Sequence, residues 1–528
     1  MEAKRAASSP PDPPRVFKSI GSTWLLNVLQ ILALMKLAPY VVERLGDATN
    51  GLWVTIVSMT GILSLLILGV PMASVRFITE RVAARDVEGS NRAIATCFGI
   101  ALFLGACAAV VGLVLHAVFD ARYLAGPAGR GFDAETLDGA RVAFLIVVAQ
   151  VALGFAMRLP YAIFDAHEDF VVRNWIMASE LVLRFVTTLG LLAWRAELPM
   201  LALVQFASMV FEFVVLLVVL RKRHPSVRYS LAGFDRALVG RILGFSLFAM
   251  LLNVGTLLAF RVDAMVIGAY LPAEEATYFD VGNKFFDPLT GFLVSVGAVV
   301  MPMATRLKTT GDLAELRAVF LKWSKICLSL VMLVGLYLAV LGPQFLGAWM
   351  GPHFVERSGP VLQVLMLSFL VYLPVRGVAL PLLMGLGKPR FPAIALLVMG
   401  VVNLAVSLAL VERMGILGVA LGTAIPSVLF AVAVLVHAAR ELGVGVGSWL
   451  AYVAGRALPG ALIPLAFLWF LRSTLHEPGL PLLLACGAGM VVLFAVVWIL
   501  FVFRDDPHLD LRAMLARRIP ALGGRSKP

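Results

Sequence analysis

Apolar and polar positions alternate along this chain in long blocks. Fourteen stretches are almost continuously apolar: 19–44, 51–75, 93–119, 142–164, 174–195, 198–220, 243–271, 278–302, 320–342, 360–386, 392–412, 416–437, 457–472 and 481–503. A hydrocarbon layer about 30 Å thick is crossed by roughly 20 helical residues, and a lone segment in lipid has to pair its own backbone amides. The blocks have that length, so they predict an all-α polytopic membrane protein of about 14 transmembrane helices. Residues 1–18, which include Ser8-Ser9-Pro10-Pro11-Asp12-Pro13-Pro14-Arg15, read as a cytoplasmic tail that does not fold. The first apolar stretch is too long for a signal peptide and lacks a small-residue cleavage site, so it reads as an uncleaved span.

Composition agrees with the pattern. Of 528 residues, 60% are hydrophobic and 14% charged, with a mean hydropathy of +0.93. A soluble domain carries nearer a quarter of charged residues, which excludes an ordinary soluble enzyme. The net charge of +12 would suggest nucleic acid in a soluble protein. Here it follows topology instead: with the N-terminus inside, inner segments hold about thirty of the 44 Lys and Arg, and outer ones about eight. An even number of crossings puts both termini in the cytoplasm.

Chemical motifs are sparse. The four cysteines (Cys97, Cys107, Cys327, Cys486) lie in apolar stretches without metal-ligand spacing, and the seven histidines are scattered. No Walker A loop, HExxH helix or GxSxG elbow is present. The connecting segments are short, the longest outer one being 121–141, which leaves no room for a soluble catalytic cleft. The chain reads as neither an enzyme nor a holder of cofactor or metal.

Its two halves are similar at an offset of 226 residues. NVLQILALMKLAPYVVERLGDATNGLW from Asn27 matches NVGTLLAFRVDAMVIGAYLPAEEATYF from Asn253 without gaps. Pro71-Met72-Ala73-Ser74 recurs as Pro302-Met303-Ala304-Thr305, Asp86 and Arg92 as Asp312 and Arg317, and Pro160 as Pro381. Six crossings separate the copies, so they share one orientation, and a site is expected between them. The expected domains are the tail 1–18, a six-helix bundle 19–220, a basic linker 221–242, a second six-helix bundle 243–438, two further helices over 457–503 and a basic tail 504–528. In 231–242 and in the tail, apolar residues share a face beside arginines (Leu231, Phe234, Leu238 and Ile242; Leu511, Met514, Leu515 and Ile519), as in helices lying in the membrane interface.

Ionisable groups within spans are costly, at about 2.5–3.5 kcal/mol each near the centre on insertion scales, and so face protein or water. Glu180 with Arg184, and Lys284 with Asp280 and Asp287, have helical pairing distances. Lys36, Arg158, Arg261 and Arg376 then stand against Glu212 and Asp263, a positive balance. Lys36, Arg158 and Arg261 sit about 7 to 8 Å from their span centres, so lining a cavity and snorkelling to the headgroups both stay open. Arg184 is central. Arg158 and Arg376 each precede a proline at repeat-related places. A cationic cleft suits a phosphorylated headgroup, because arginine grips phosphate oxygens as a fork.

GSTWLLNVLQ, RLGDATNGLW, FDRALVGRILGFS with RVDAMVIG, MGLGKPRF and MGILGVALGTAIPS, in that order, resemble the polysaccharide flippases of the multidrug/oligosaccharidyl-lipid/polysaccharide exporter superfamily. The resemblance covers nearly the whole chain. It implies translocation of undecaprenyl-diphosphate-linked oligosaccharide across a bacterial inner membrane by alternating access, driven by protons or membrane potential, beside a polymerase and glycosyltransferases. It also implies a cationic lumen, for which Lys36, Arg158, Arg184, Arg261 and Arg376 are the candidates. Glu180, Glu212 and Asp263 are candidate coupling carboxylates. A lipid II flippase, a cation-coupled drug antiporter and a non-transporting assembly protein are the alternatives.

Overall fold

A computed structural model describes residues 13–67, 69–475 and 478–509, and among them every regular element is helical. The chain divides into two compact units, Met1–Val254 with Gly268–Glu274, and Gly255–Ile267 with Glu275–Pro528.

The first unit contains α1 (Pro13–Leu45), α2 (Asp47–Gly61), α3 (Val70–Ala83), α4 (Val87–Val118), α5 (Ala134–Met157), α6 (Leu159–Ala166), α7 (Phe170–Trp194) and α8 (Leu198–Arg223). Helix α5 packs against α2, α4 and α8, while α7 packs against α1, α6 and α8. Lipid provides no hydrophobic drive between helices, so close van der Waals approach has to hold them. Small residues permit it: a Cβ on Gly105 of α4 would lie 2.4 Å from the Ala152 carbonyl oxygen of α5.

Two sequence expectations change here. Helix α1 begins at Pro13, inside the segment read as an unfolded tail, because Pro13 and Pro14 fit the first helical turn, whose amides need no partner. Residues 1–12 lie outside the described residues. The linker 221–242 also holds no separate interfacial helix. Helix α8 runs to Arg223, turns follow, and a new helix starts at Arg236. The turns are fastened to the first unit. Asn91 donates to the Ser226 carbonyl at 3.0 Å and accepts from the Arg228 amide at 2.8 Å, and Tyr229 donates to the Ala156 carbonyl at 2.5 Å. The second amphipathic stretch, 511–519, lies outside the described residues.

That new helix, α9 (Arg236–Phe260), leads into α10 (Asp263–Tyr270), α11 (Ala273–Asn283) and α12 (Phe286–Thr310). Beyond them come α13 (Leu313–Met350), α14 (Phe354–Arg357), α15 (Gly359–Gly385), α16 (Arg390–Leu442), α17 (Val446–Val453), α18 (Ala457–Thr474) and α19 (Leu480–Val497). In the second unit α15 is central, packing on α12, α13 and α16. Helix α16 is a hairpin. Its backbone reverses at Gly415 (φ 58°, ψ −142°), so that Asn403 donates to the Thr423 hydroxyl at 3.2 Å. Helices α18 and α19 dock on α13, where Met332, Leu336 and Leu341 meet Ala461, Leu468, Met490 and Phe494.

Eleven helical segments of the described residues are long and apolar enough to cross a membrane. Counting α16 as two crossings gives twelve, and α9 and α12 are 25 residues long each. Two positions paired in the sequence repeat cap their helices alike. Asp86 (φ −87°, ψ 86°) caps α4 by accepting from the Gly89 amide, and Asp312 (φ −81°, ψ 85°) caps α13 by accepting from the Glu315 amide.

Candidate functional site

The first unit gathers several of its span charges. The α5 helix breaks at Arg158 (φ −91°, ψ −7°), because Pro160 in the next turn cannot donate to the helix ladder. The break leaves Arg158 exposed and turns Tyr161 toward α8, where its hydroxyl donates to Glu212 Oε1. Glu212 is thus not the unpartnered acid that the span count implies. On α7, Glu180 meets Arg184 Nε at 3.5 Å, as the helical spacing predicts. Arg158, Arg184 and Glu212 all lie within electrostatic reach of Glu180.

The register of α1 against α7 fixes the height of Lys36. Asn174 donates to the Ser22 and Thr23 hydroxyls, and Tyr40 donates to the Leu189 carbonyl at 2.8 Å. These bonds align α1 and α7 in parallel and put Lys36, which is exposed, at the height of Arg184. Arg184 has 40% of its side chain exposed near the middle of its span, a depth at which a charge is paired or sits in a wet interior. Among the described residues, neither Lys36 nor Arg158 meets a carboxylate.

The second unit treats its charges differently. Arg261 was counted as unpaired, but it forms an ion pair with Asp287 at 3.0 Å, the two side chains being 58% and 62% exposed. Lys284 accordingly pairs with Asp280 alone, not with both acids. Spacing along one helix could not show this, because the partners of Arg261 and Asp287 come from different elements. Arg376 lies inside the continuous helix α15, so its proline neighbourhood differs from that of Arg158, where the helix breaks. Its Nε is buried without a hydrogen-bond partner among the described residues. The buried Tyr372 hydroxyl lies one turn away.

Asp263 is buried without a cation. The Thr423 hydroxyl donates to it at 2.8 Å and the Asn403 amide at 3.3 Å, while Asn403 also donates to the Ala259 carbonyl and accepts from Ser407. A count of ionisable groups misses Asn403, Ser407, Thr423 and Ser427. Their signal is nonetheless in the sequence, as two polar pairs spaced four apart on apolar helices. Such a network either holds a protonated carboxyl or offers oxygens to a small cation.

The comparisons with known proteins agree with this architecture. Residues 16–308 match the family described as polysaccharide biosynthesis protein. An uncharacterized membrane protein of Methanocaldococcus jannaschii is 23% identical over 207 residues, which are 39% of this chain and only 40% of that protein's length. Among solved structures, an inward-facing multidrug resistance MATE family transporter of the MOP superfamily matches with a TM-score of 0.65 at 17% identity, over 79% of this chain and 94% of its own. The lipid II flippase MurJ, in an inward closed conformation, matches with a TM-score of 0.68 at 15% identity, over 92% and 98%. At these identities the structural likeness shows the fold. The family match spans more than half of the chain, and so the chain belongs to the polysaccharide biosynthesis protein family, a multi-pass membrane protein with the fold of the MOP transporters and flippases.

Proposed function

We propose that this protein is a flippase that moves undecaprenyl-diphosphate-linked oligosaccharide units from the cytoplasmic to the periplasmic leaflet of a bacterial inner membrane, feeding O-antigen, capsule or exopolysaccharide synthesis. The observation that carries this reading is the set of cations in the first unit, where among the described residues Lys36 and Arg158 meet no carboxylate and Arg184 pairs with Glu180 at 3.5 Å. A diphosphate needs cations that are not already spent on carboxylates, and an arginine fork supplies them. In the second unit Arg261 is already committed to Asp287, and Arg376 is a separate candidate cation there. Transport proceeds by alternating access, with the proton gradient or membrane potential as the energy source and Glu180, Glu212 and Asp263 as the coupling carboxylates. A polymerase and glycosyltransferases are the expected partners.

The test is a reconstituted flipping assay with a fluorescent lipid-linked oligosaccharide. Arg158→Gln should lower the rate at least tenfold while the protein inserts normally; full activity in this variant would remove the cationic group from the site. The extent of the MurJ likeness, 92% of this chain, favours lipid II as the second reading. Deleting the gene separates the two, since loss of viability points to lipid II and loss of a surface polymer to the first reading.

A further inference from the structure

The segment 231–242 spaces apolar and basic residues regularly without forming a helix in the interface. Its first residues make a turn, 231–235, that is seated on one face of α4. A Cβ on Gly99 of α4 would lie 2.7 Å from the Phe234 ring and 3.5 Å from Leu231 Cδ2, and one on Gly233 (φ 91°) would lie 3.3 Å from Arg92 Cγ. The Asp235 amide donates to the Thr96 hydroxyl at 3.0 Å. Just upstream, the Asn91 side chain holds the Ser226 carbonyl and the Arg228 amide. Leu231 and Phe234 nevertheless stay exposed.

This seating places three exposed arginines around the turn. Arg92 lies beside Gly233, Arg228 has its amide on Asn91, and Arg236 opens α9. Among the described residues none of the three forms an ion pair. Asp86 is occupied, accepting from the Gly89 amide and meeting Arg81 at 3.3 Å. Asp235 accepts from the Ala237 amide at 2.8 Å, and Glu88 is exposed one turn before Arg92. Three guanidinium groups therefore stand against Glu88 and the capping Asp235, a positive balance. Arg241 is turned to α3, over the Phe77 ring at 5.6 Å.

From Gly99 onward the same face of α4 is apolar and open. Phe103, Val110 and Val114 are each more than 60% exposed, and steps of four, seven and four residues keep them in line with Gly99. Phe103 and Val114 are about 16 Å apart along the helix, close to half of a hydrocarbon layer about 30 Å thick. A cationic foot below an apolar stripe one leaflet long has the polarity of an amphiphile with an anionic head.

We propose that this corner of the first unit binds an anionic phospholipid, with its phosphate on Arg92, Arg228 and Arg236 and an acyl chain along α4 over Phe234, Phe103 and Val110. Arginine forks grip phosphate oxygens, and basic sites between membrane helices suit anionic headgroups. A zwitterionic lipid brings the same phosphate with an ammonium that the arginines repel. A free phosphate has no chain to lay on the stripe. Topology alone asks for an excess of Lys and Arg without any fixed arrangement, whereas α4 already orders the backbone that carries these three. Less order is then lost on binding. The site uses none of the residues assigned to transport.

Titrating the purified full-length protein in neutral detergent with a fluorescent-acyl phosphatidylglycerol tests the site. Wild type should bind it at least tenfold tighter than the matching phosphatidylcholine. Arg92→Gln with Arg228→Gln and Arg236→Gln should abolish that preference, while Arg92→Lys with Arg228→Lys and Arg236→Lys should keep most of it. Arg306→Gln with Arg390→Gln and Arg440→Gln removes as much exposed charge from the second unit and should leave the preference intact. Equal losses in the two Gln sets would reduce the effect to net charge and overturn the site. Displacement of the lipid by millimolar inorganic phosphate would also overturn it, since the occupant would then be a free anion. A second measurement needs no variant: a diazirine-acyl phosphatidylglycerol should label wild type within 99–114, and unlabelled phosphatidylglycerol should suppress this labelling more than phosphatidylcholine does. Equal suppression by the two lipids would show an ordinary lipid-facing surface and sink the proposal.

Discussion

Lys325 lies near the start of the apolar stretch 320–342, and its side chain is only 3% exposed within α13. Its ammonium meets Asp506, just beyond α19, at 2.5 Å and the Val502 carbonyl at 3.0 Å. Asp506 also accepts from the Tyr452 hydroxyl at 2.6 Å and from the His508 and Leu509 amides. Burial alone would raise this carboxyl. The bonds from Lys325, Tyr452 and His508 outweigh it and hold Asp506 below the usual carboxylate range. A depressed carboxyl stabilises the fold fully above its unfolded value near 3.9, and the contribution fades as pH falls through the lower folded value. Lys325→Met should therefore destabilise the protein by about 3–5 kcal/mol, because it strands a buried charge. In detergent melts, Lys325→Met with Asp506→Leu should recover most of that loss. If the single variant melted like wild type, the pair would have no structural role. Nothing in the local sequence announces this contact, since 181 residues separate its partners.

At the scale of elements, the pattern places the crossings well but not the way they join. The two arms of α16 were legible as spans 392–412 and 416–437. Their turn is tight because Gly415 adopts φ 58°, ψ −142°, a backbone region that side chains oppose. Gly415→Ala should cost about 1–3 kcal/mol, read as a lower melting temperature. Gly190→Ala is the matched control. It lies within α7 with nothing near its added methyl, and alanine is the better helix former, so this change should be neutral or mildly stabilising. Equal effects of the two substitutions would show that the turn is not strained. The segment 231–242 teaches the converse lesson. Its spacing of apolar and basic residues is real, but from Arg236 it belongs to the start of α9 rather than to a helix in the interface. Amphipathic spacing alone cannot tell a helix that lies on a membrane from one that enters it.

For the molecule as a whole, the distribution of Lys and Arg makes an orientation testable. Reporter fusions at 224–235 and after α19 should be active in the cytoplasm, and fusions at 121–133 or 195–197 in the periplasm. A periplasmic C-terminus would break the even count of crossings. Asp86 and Asp312, matched in the sequence, cap α4 and α13 with nearly the same backbone angles, whereas Arg158 sits at a helix break and Arg376 within a continuous helix.

The sequence by itself determined the class of molecule, the course of most apolar helices and most of the charges within them. A continuous apolar segment of about 20 residues satisfies its backbone in hydrocarbon as a helix, and each polar exception stands out against the apolar run. Only the tertiary structure decided which charges are committed and which are free. Arg261 finds Asp287, Glu212 finds Tyr161 and Asp263 finds uncharged partners, while Arg184 keeps only a loose hold on Glu180. Those pairings depend on distances between helices, and helical periodicity records the face of one helix without saying what that face will meet.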